Sequence, residues 1–202
     1  MVDTQALDLD RMTDLVVSAH GEGLGVVRLT SGDPSVYSAL HEQTARLDAA
    51  GVPWDVTPGV ASYAAAAAIA GAELTVPLVA QSVVLTRVQA RSTAMPPSES
   101  LAAFAATRAT LAIHLAITRT REVMAELEPA YGADCPVVVV HRASQPAELV
   151  LRGTVGDIAD AVEAADLRQA AVILVGRALA PHGDGSGAGE SHLYDPARPR
   201  HA

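Results

Sequence analysis

The spacing of apolar residues predicts that strands and helices alternate through the first third of the chain. Residues 8–20 have helical periodicity, and Gly21 and Gly23 follow as a helix end. The apolar segment LGVVRLT (24–30) then predicts a strand, and a second helix is expected from Asp33 to about Ala50. A short strand, WDVT (54–57), leads through Pro58-Gly59 into an alanine-rich helix. Such alternation is typical of a parallel sheet with ligand loops at the carboxyl ends of its strands.

Five further strands are predicted in the rest of the chain, separated by helical or loop-forming segments. They are SVVLTRV (82–88), TLAIHLAI (110–117), PVVVVHRAS (136–144), AELVLRG (147–153) and AAVILVG (170–176). We therefore predict an α/β protein with two domains, 1–79 and 80–181, followed by a tail over 182–202. The tail is rich in Gly, Pro and Ser, a composition typical of mobile segments.

Composition narrows the classes of partner. The 202 residues are 50% hydrophobic, and the formal net charge is −9. All 14 basic residues are arginines and they form no basic block, which argues against a nucleic-acid partner. The single Cys135 excludes an internal disulfide, and the histidines never pair at metal-ligand spacing, so no metal site is expected. No apolar run reaches the roughly 18 residues needed to cross a membrane, and a cytoplasmic location is expected.

The segment SGDPSVYSAL, residues 31–40, allows two interpretations. Gly32 suits a tight turn, Asp33 a helix N-cap and Pro34 a first helical position, and these roles need no ligand. The same loop also places backbone N–H groups and a carboxylate at a strand end, where they suit a polar cofactor group. The segment TPGVASYAAAA (57–67) also places a turn before a predicted helix. Its small side chains allow two interpretations as well, close helix packing or the approach of a flat ligand.

Arginines near the predicted strand ends also have two interpretations. Arg87 and Arg91 flank the loop that follows the domain boundary, and Arg119, Arg121 and Arg142 follow later strands. They are either solvated surface residues or guanidinium groups that bind substrate carboxylates. His114 lies inside a predicted strand, where a histidine is more often part of the core than a catalyst.

Three segments taken in order resemble the tetrapyrrole methylases. They are SGDPSVYSAL, TPGVASYAAAAA and ELTVPLVAQSVVLTRVQARSTAMPPSESL, and YGADCPVVVVHRASQPAELVLRGTVGDIA and AAVILVGRALA extend the likeness to about residue 180. The resemblance implies the class III methyltransferase fold, with two α/β domains and a cofactor cleft between them. It also implies S-adenosyl-L-methionine as cofactor, precorrin-4 or cobalt-precorrin-4 as tetrapyrrole substrate, methylation at C(11) in cobalamin biosynthesis, and a homodimer.

The resemblance also implies site residues. The positions that match the family's cofactor contacts are Gly32, Asp33, Val36, Ala61, Ser62, Leu115, Ala116, Ala143, Ala171 and Val172. Arg87 and Arg91 are the expected substrate-binding residues, and no general base is identified. Family members begin with a strand and a Gly-Pro-Gly loop that this sequence does not contain, so a truncated first domain is expected. The alternatives are a sister methylase acting at another ring carbon and a non-catalytic fragment that retains the dimer scaffold.

Overall fold

The computed structural model describes residues 1–88, 94–181 and 191–192. The chain divides into two compact units, Met1–Ala61 and Ser62–Ala202. Arg91 and nearly all of the predicted tail lie outside the described residues. Among the described residues, every helix is too short or too polar to cross a lipid bilayer.

Two helices and connecting loops form the first unit. Helix α1 (Leu9–Gly21) begins where the Asp8 carboxylate accepts a hydrogen bond from the backbone N–H of Arg11 at 2.8 Å. Helix α2 (Leu40–Ala49) contributes Arg46, whose guanidinium lies 2.9 Å from the carboxylate of Asp10 in α1. This exposed ion pair adds at most about 1 kcal/mol to stability.

The two strands predicted in the first unit are not formed. Residues 1–61, all of which the structure describes, contain no β-strand, and the segments 24–30 and 54–57 lack regular secondary structure. The side chains of Val27 and Leu29 are 84% and 82% exposed. A strand is defined by hydrogen bonds to a neighbouring strand, and neither segment has such a neighbour within this unit. Apolar periodicity alone therefore predicted more sheet than the unit contains.

The second unit is built around a five-stranded sheet, and it confirms the α/β class. Its elements are α3 (Ser62–Ala70), β1 (Val83–Arg87), α4 (Leu101–Ala105), β2 (Thr110–His114), α5 (Thr120–Tyr131), β3 (Pro136–His141), β4 (Leu149–Thr154), α6 (Ile158–Ala164) and β5 (Ala171–Val175), with short 3-10 helices at Pro97–Glu99, Ile117–Arg119 and Arg177–Leu179. The strand order is β1-β2-β5-β3-β4. Only the β1–β2 pair is parallel, because β5 runs antiparallel to both β2 and β3.

Both faces of this sheet are covered. One face packs against α4, α5 and α6 in an aliphatic core that includes Ile113, Val139 and Ile173. The other face packs against α3, whose Ala66, Ala67 and Ala70 belong to one cluster with strand residues such as Val138 and Leu174. Strands buried on both faces explain the unbroken apolar runs in the sequence.

The division between the two compact units lies earlier in the sequence than the predicted domain boundary near residue 79. Helix α3 was expected in the first domain, yet the division lies between Ala61 and Ser62. The alanine face of α3 packs against the sheet of the second unit, and Arg152 of β4 donates a 2.6 Å hydrogen bond to the carbonyl of Ala70 at its end. The small side chains thus serve close helix–sheet packing.

We expect this packing to be intolerant of a larger side chain. Ala66 is fully buried, whereas Ala68 on the same helix is exposed. Ala66→Leu should lower the free energy of unfolding by about 1–3 kcal/mol, because overpacking forces the helix away from the sheet. Ala68→Leu should change it by less than about 0.5 kcal/mol. Urea denaturation measures both, and equal effects would show that α3 does not pack as described.

Candidate ligand site at the strand ends

One edge of the sheet in the second unit collects the carboxyl ends of β1, β2 and β3 and the first residue of β5. Strands β1 and β2 finish there side by side, with Arg87 opposite His114 in the register. Strand β5 starts at the same edge, because it is antiparallel to β2, and its first residue Ala171 pairs with His141 at the end of β3. We call this the carboxyl edge. The predicted cofactor residues of the second unit are in or beside these strand ends: Ser62, Leu115, Ala116, Ala143, Ala171 and Val172.

The backbone at the carboxyl edge turns sharply at three non-glycine residues. Leu115 follows β2 with a φ of 55°, Arg142 follows β3 with a φ of 48°, and Ala170 precedes β5 with a φ of 53°. The N–H of Arg142 donates to the carbonyl of Ala170 at 2.8 Å, which ties two of these turns together. Left-handed conformations are unfavourable for such residues and concentrate at ligand sites.

Burial separates the ways in which these residues can act. Leu115 is 64% exposed, so its side chain is available to an apolar ligand surface. Ala116 and Val172 are 1% and 5% exposed, so they can offer a ligand little beyond their backbone groups. Ala143 and Ala171 are partly exposed and small. The edge therefore combines one open apolar side chain with backbone that a ligand can approach closely.

Three polar side chains complete the carboxyl edge on the face covered by α3. Ser62, the first residue of α3, has its hydroxyl 3.4 Å from Nδ1 of His114. His114 is 6% exposed, and burial lowers the pKa of its imidazole. Arg87 is partly exposed beside it in β1. The predicted substrate residue Arg87 and the predicted cofactor residue Ser62 thus lie on the two sides of one buried, neutral histidine.

In the first unit, the loops that contain Asp33 and Gly59 are joined through a carboxylate. One oxygen of Asp33 accepts hydrogen bonds from the hydroxyl and the backbone N–H of Ser35, the latter at 2.8 Å. The other oxygen accepts from the N–H of Gly59 at 2.8 Å. The Ser35 hydroxyl, the Ser35 N–H and the Gly59 N–H, in that order, hold the pKa of Asp33 below its usual range. The carboxylate is therefore ionised at neutral pH.

Both glycines of this loop pair have a specific reason to be glycine. Gly32 has a φ of 74°, a left-handed conformation that favours glycine. A Cβ at Gly59 would collide with the carbonyl oxygen of Gly32. The predicted cofactor residues Gly32 and Asp33 therefore belong to one tightly packed loop pair.

The predicted helix start after Asp33 is wrong. Pro34 and Ser35 form a turn, and α2 begins only at Leu40, because Tyr37 and Ala39 adopt left-handed φ angles of 53° and 56°. Asp33 caps a turn and holds a second loop, so it is not a helix N-cap. Val36 lies within this irregular segment, and Ala61 immediately precedes α3.

Two of the other arginines singled out from the sequence form ion pairs with acidic groups. Arg119 pairs with Glu122, and Arg121 forms ion pairs with Asp160 and Glu163 at 2.6 and 2.7 Å. Arg142 contributes a turn at the carboxyl edge through its backbone. Within the described residues, no three His, Cys, Asp or Glu side chains come together as a metal site.

Sequence reasoning missed two contributors. His114 is buried in a strand, as predicted, but its contact with a serine 52 positions away leaves no trace in local sequence. Ser35 was overlooked, although a serine two residues after an aspartate is a recognised signal for a carboxylate-capped turn.

The second unit is an α/β fold whose strand ends form a candidate small-molecule site. The profile described as Tetrapyrrole (Corrin/Porphyrin) Methylases matches residues 2–159, well over half of the chain. The chain therefore belongs to the tetrapyrrole methylase family.

Individual relatives agree with this assignment. A precorrin-4 C(11)-methyltransferase of Sinorhizobium sp. is 52% identical over 200 residues, which cover 99% of this chain and 78% of the relative. A crystal structure of a cobalt precorrin-4 methyltransferase aligns with a TM-score of 0.85 at 41% identity, over 89% of this chain and 75% of that one. The uroporphyrin-III C-methyltransferase from Thermus thermophilus, complexed with S-adenyl homocysteine, aligns at 0.68 and 26% identity, over 84% and 74% of the two chains.

The loop pair generates a direct prediction. Gly59→Ala should lower the stability of the first unit by about 1–3 kcal/mol, because the new methyl group must displace the Gly32 carbonyl and loosen the Asp33–Gly59 hydrogen bond. Gly25→Ala is the matched control, since a Cβ there meets no atom within 4 Å. Hydrogen exchange at residues 32–36 and 59 measures local opening. Unchanged protection in Gly59→Ala would contradict the described loop contact.

Proposed function

We propose that this chain binds S-adenosyl-L-methionine and transfers its methyl group to C(11) of precorrin-4, or of cobalt-precorrin-4, in cobalamin biosynthesis. The observation that carries the proposal is the carboxyl edge, where strand register and the Ser62–His114 contact bring together six residues expected to bind the cofactor. The 52% identity to a precorrin-4 C(11)-methyltransferase supports the choice of substrate and ring carbon.

The residues of the carboxyl edge fit a nucleoside with an amino-acid chain. Leu115 offers an exposed apolar surface suited to an adenine ring. Ala116, Ala143, Ala171 and Val172 add small side chains and strand-end backbone groups, which suit close hydrogen bonding to a ribose or an amino acid. In the first unit, Gly32, Asp33, Val36 and Ala61 are proposed to contribute further contacts, with the ionised Asp33 suited to a hydroxyl or an ammonium group.

The chemistry needs positioning more than proton transfer. When bound, S-adenosylmethionine supplies an electrophilic methyl group on a positively charged sulfur. The residues of the carboxyl edge are proposed to fix that group in line with the substrate carbon and to keep water away from it. No residue is assigned as a general base, because the conjugated tetrapyrrole can itself provide the carbon nucleophile.

Arg87 is proposed to bind a carboxylate of the tetrapyrrole. It lies at the end of β1, beside the proposed cofactor residues, in a chain whose net charge of −9 repels a polyanion. A local guanidinium would therefore offset this repulsion and attract a substrate carboxylate. Arg91 is proposed for the same role from the sequence alone. The homodimer and the cytoplasmic location are likewise proposals that rest on the sequence.

The first test of this function is a methylation assay. Precorrin-4 incubated with the chain and ¹³C-methyl S-adenosylmethionine should gain one labelled methyl group, and carbon NMR should place it at C(11). A label at another carbon would identify a different methylase, and no product would contradict the activity.

Arg87→Gln should raise the KM for precorrin-4 by about tenfold or more, while the KM for the cofactor changes by less than about threefold. Arg108→Gln, which precedes β2 at the opposite edge, is the control.

A separate test addresses the first unit. Asp33→Ala removes the carboxylate that accepts hydrogen bonds from Ser35 and Gly59. Calorimetry should show that S-adenosylhomocysteine binds to this variant at least about tenfold more weakly than it binds to wild type. The control is Asp55→Ala, at an exposed position of the same unit. Equal affinity in Asp33→Ala and wild type would remove Asp33 from the proposed site.

A further inference from the structure

The contact between Ser62 and His114 joins two elements that both carry proposed cofactor residues. Ser62 begins α3, and His114 ends β2 immediately before Leu115 and Ala116. The hydroxyl of Ser62 and Nδ1 of His114 are 3.4 Å apart, which is a long hydrogen bond. The two residues are 52 positions apart in sequence. Their contact therefore fixes where the helix starts relative to the turn that follows β2.

Building on the function proposed above, we propose that His114 is a positioning residue for cofactor binding, which acts in its neutral form through Ser62. It does not need to touch the cofactor. The imidazole of His114 contacts the hydroxyl of Ser62, and the backbone of His114 leads directly into the left-handed turn at Leu115.

The surroundings of His114 favour the neutral ring. Its side chain is 6% exposed, and burial lowers its pKa. Within the described residues, the charged or titratable groups on the elements packed around it are Arg87 of β1 and Tyr63 of α3, whereas β5 is wholly apolar. His141 at the end of β3 alternates with Val140 and shares the opposite face with Val139. Neither Arg87 nor Tyr63 is a carboxylate.

The sign of the pH effect follows from this environment. A histidine whose pKa is lowered in the folded protein binds protons more readily when its surroundings open. Above its ordinary pKa of about 6.5 the closed, neutral arrangement is fully favoured. As the pH falls below that value, protonation increasingly favours an open carboxyl edge. Cofactor affinity should therefore decline as the pH falls below about 6.5.

Three variants of the full chain test the proposal by calorimetry with S-adenosylhomocysteine. His114→Phe keeps a planar ring but removes the nitrogen that faces Ser62, and it should weaken binding by about threefold to tenfold at pH 7.5. His114→Asn places an amide near the position of Nδ1, and it should restore binding to within about twofold. Because Asn does not titrate, its affinity should stay flat from pH 7.5 to pH 5.5, where wild type declines.

Coupling to Ser62 separates positioning from general packing. In the Ser62→Ala background, His114→Phe should cause no further loss, because the hydrogen bond is already absent. Additive losses, or a pH decline in His114→Asn equal to that of wild type, would overturn the proposal. If wild type itself fails to bind, the proposed cofactor is wrong and this role falls with it. If wild type binds and His114→Phe binds equally well, only the role of His114 is wrong.

Discussion

The position of β5 between β2 and β3 decides where the candidate site lies. Because β5 runs antiparallel to both neighbours, its first residues meet the last residues of both, and the residues after His114 and His141 turn away at the same edge. A strand register is an all-or-none choice, since a shift of one residue would move every buried side chain to the other face. The core residues Ile113, Val139 and Ile173 on one face, and Ala112, Val140 and Val172 on the other, therefore also hold the site in place.

The carboxyl edge contains several energetically unfavourable features, which are left-handed backbone conformations, an exposed apolar side chain and a buried polar one. Leu115 is apolar, exposed and left-handed, and His114 beside it is polar and buried. Elsewhere in the sheet the buried side chains are aliphatic apart from Thr86 and Thr110. Departures from local rules gathered at one edge, on a rigid and well-packed sheet, are typical of functional sites. In the first unit, the ionised Asp33 and the close approach of Gly59 to Gly32 form a second such concentration.

The sequence predicted the strands of the second unit, but it predicted strands in the first unit that are not formed. All five strands of the sheet were predicted, because β-branched runs such as PVVVVH are bounded by Gly, Pro or polar residues and are too short for helices. The strand predicted at 24–30 failed because pairing, which no local pattern encodes, makes a strand. The helix predicted after Pro34 failed because Tyr37 and Ala39 take left-handed conformations that their residue types disfavour. Contacts between distant positions, Ser62 with His114 and Asp33 with Gly59, required the fold itself.

The central claim is that the carboxyl edge of the sheet binds the cofactor, and backbone amide NMR tests it most directly. Titration with S-adenosylhomocysteine should shift the amide signals of Leu115, Ala116, Ala143 and Ala171. The signals of Thr110 and Val175, at the opposite ends of β2 and β5, and of Thr154, at the same opposite edge in the neighbouring β4, should stay in place. Shifts confined to the opposite ends, or no shift at the four named residues under saturating ligand, would contradict the account.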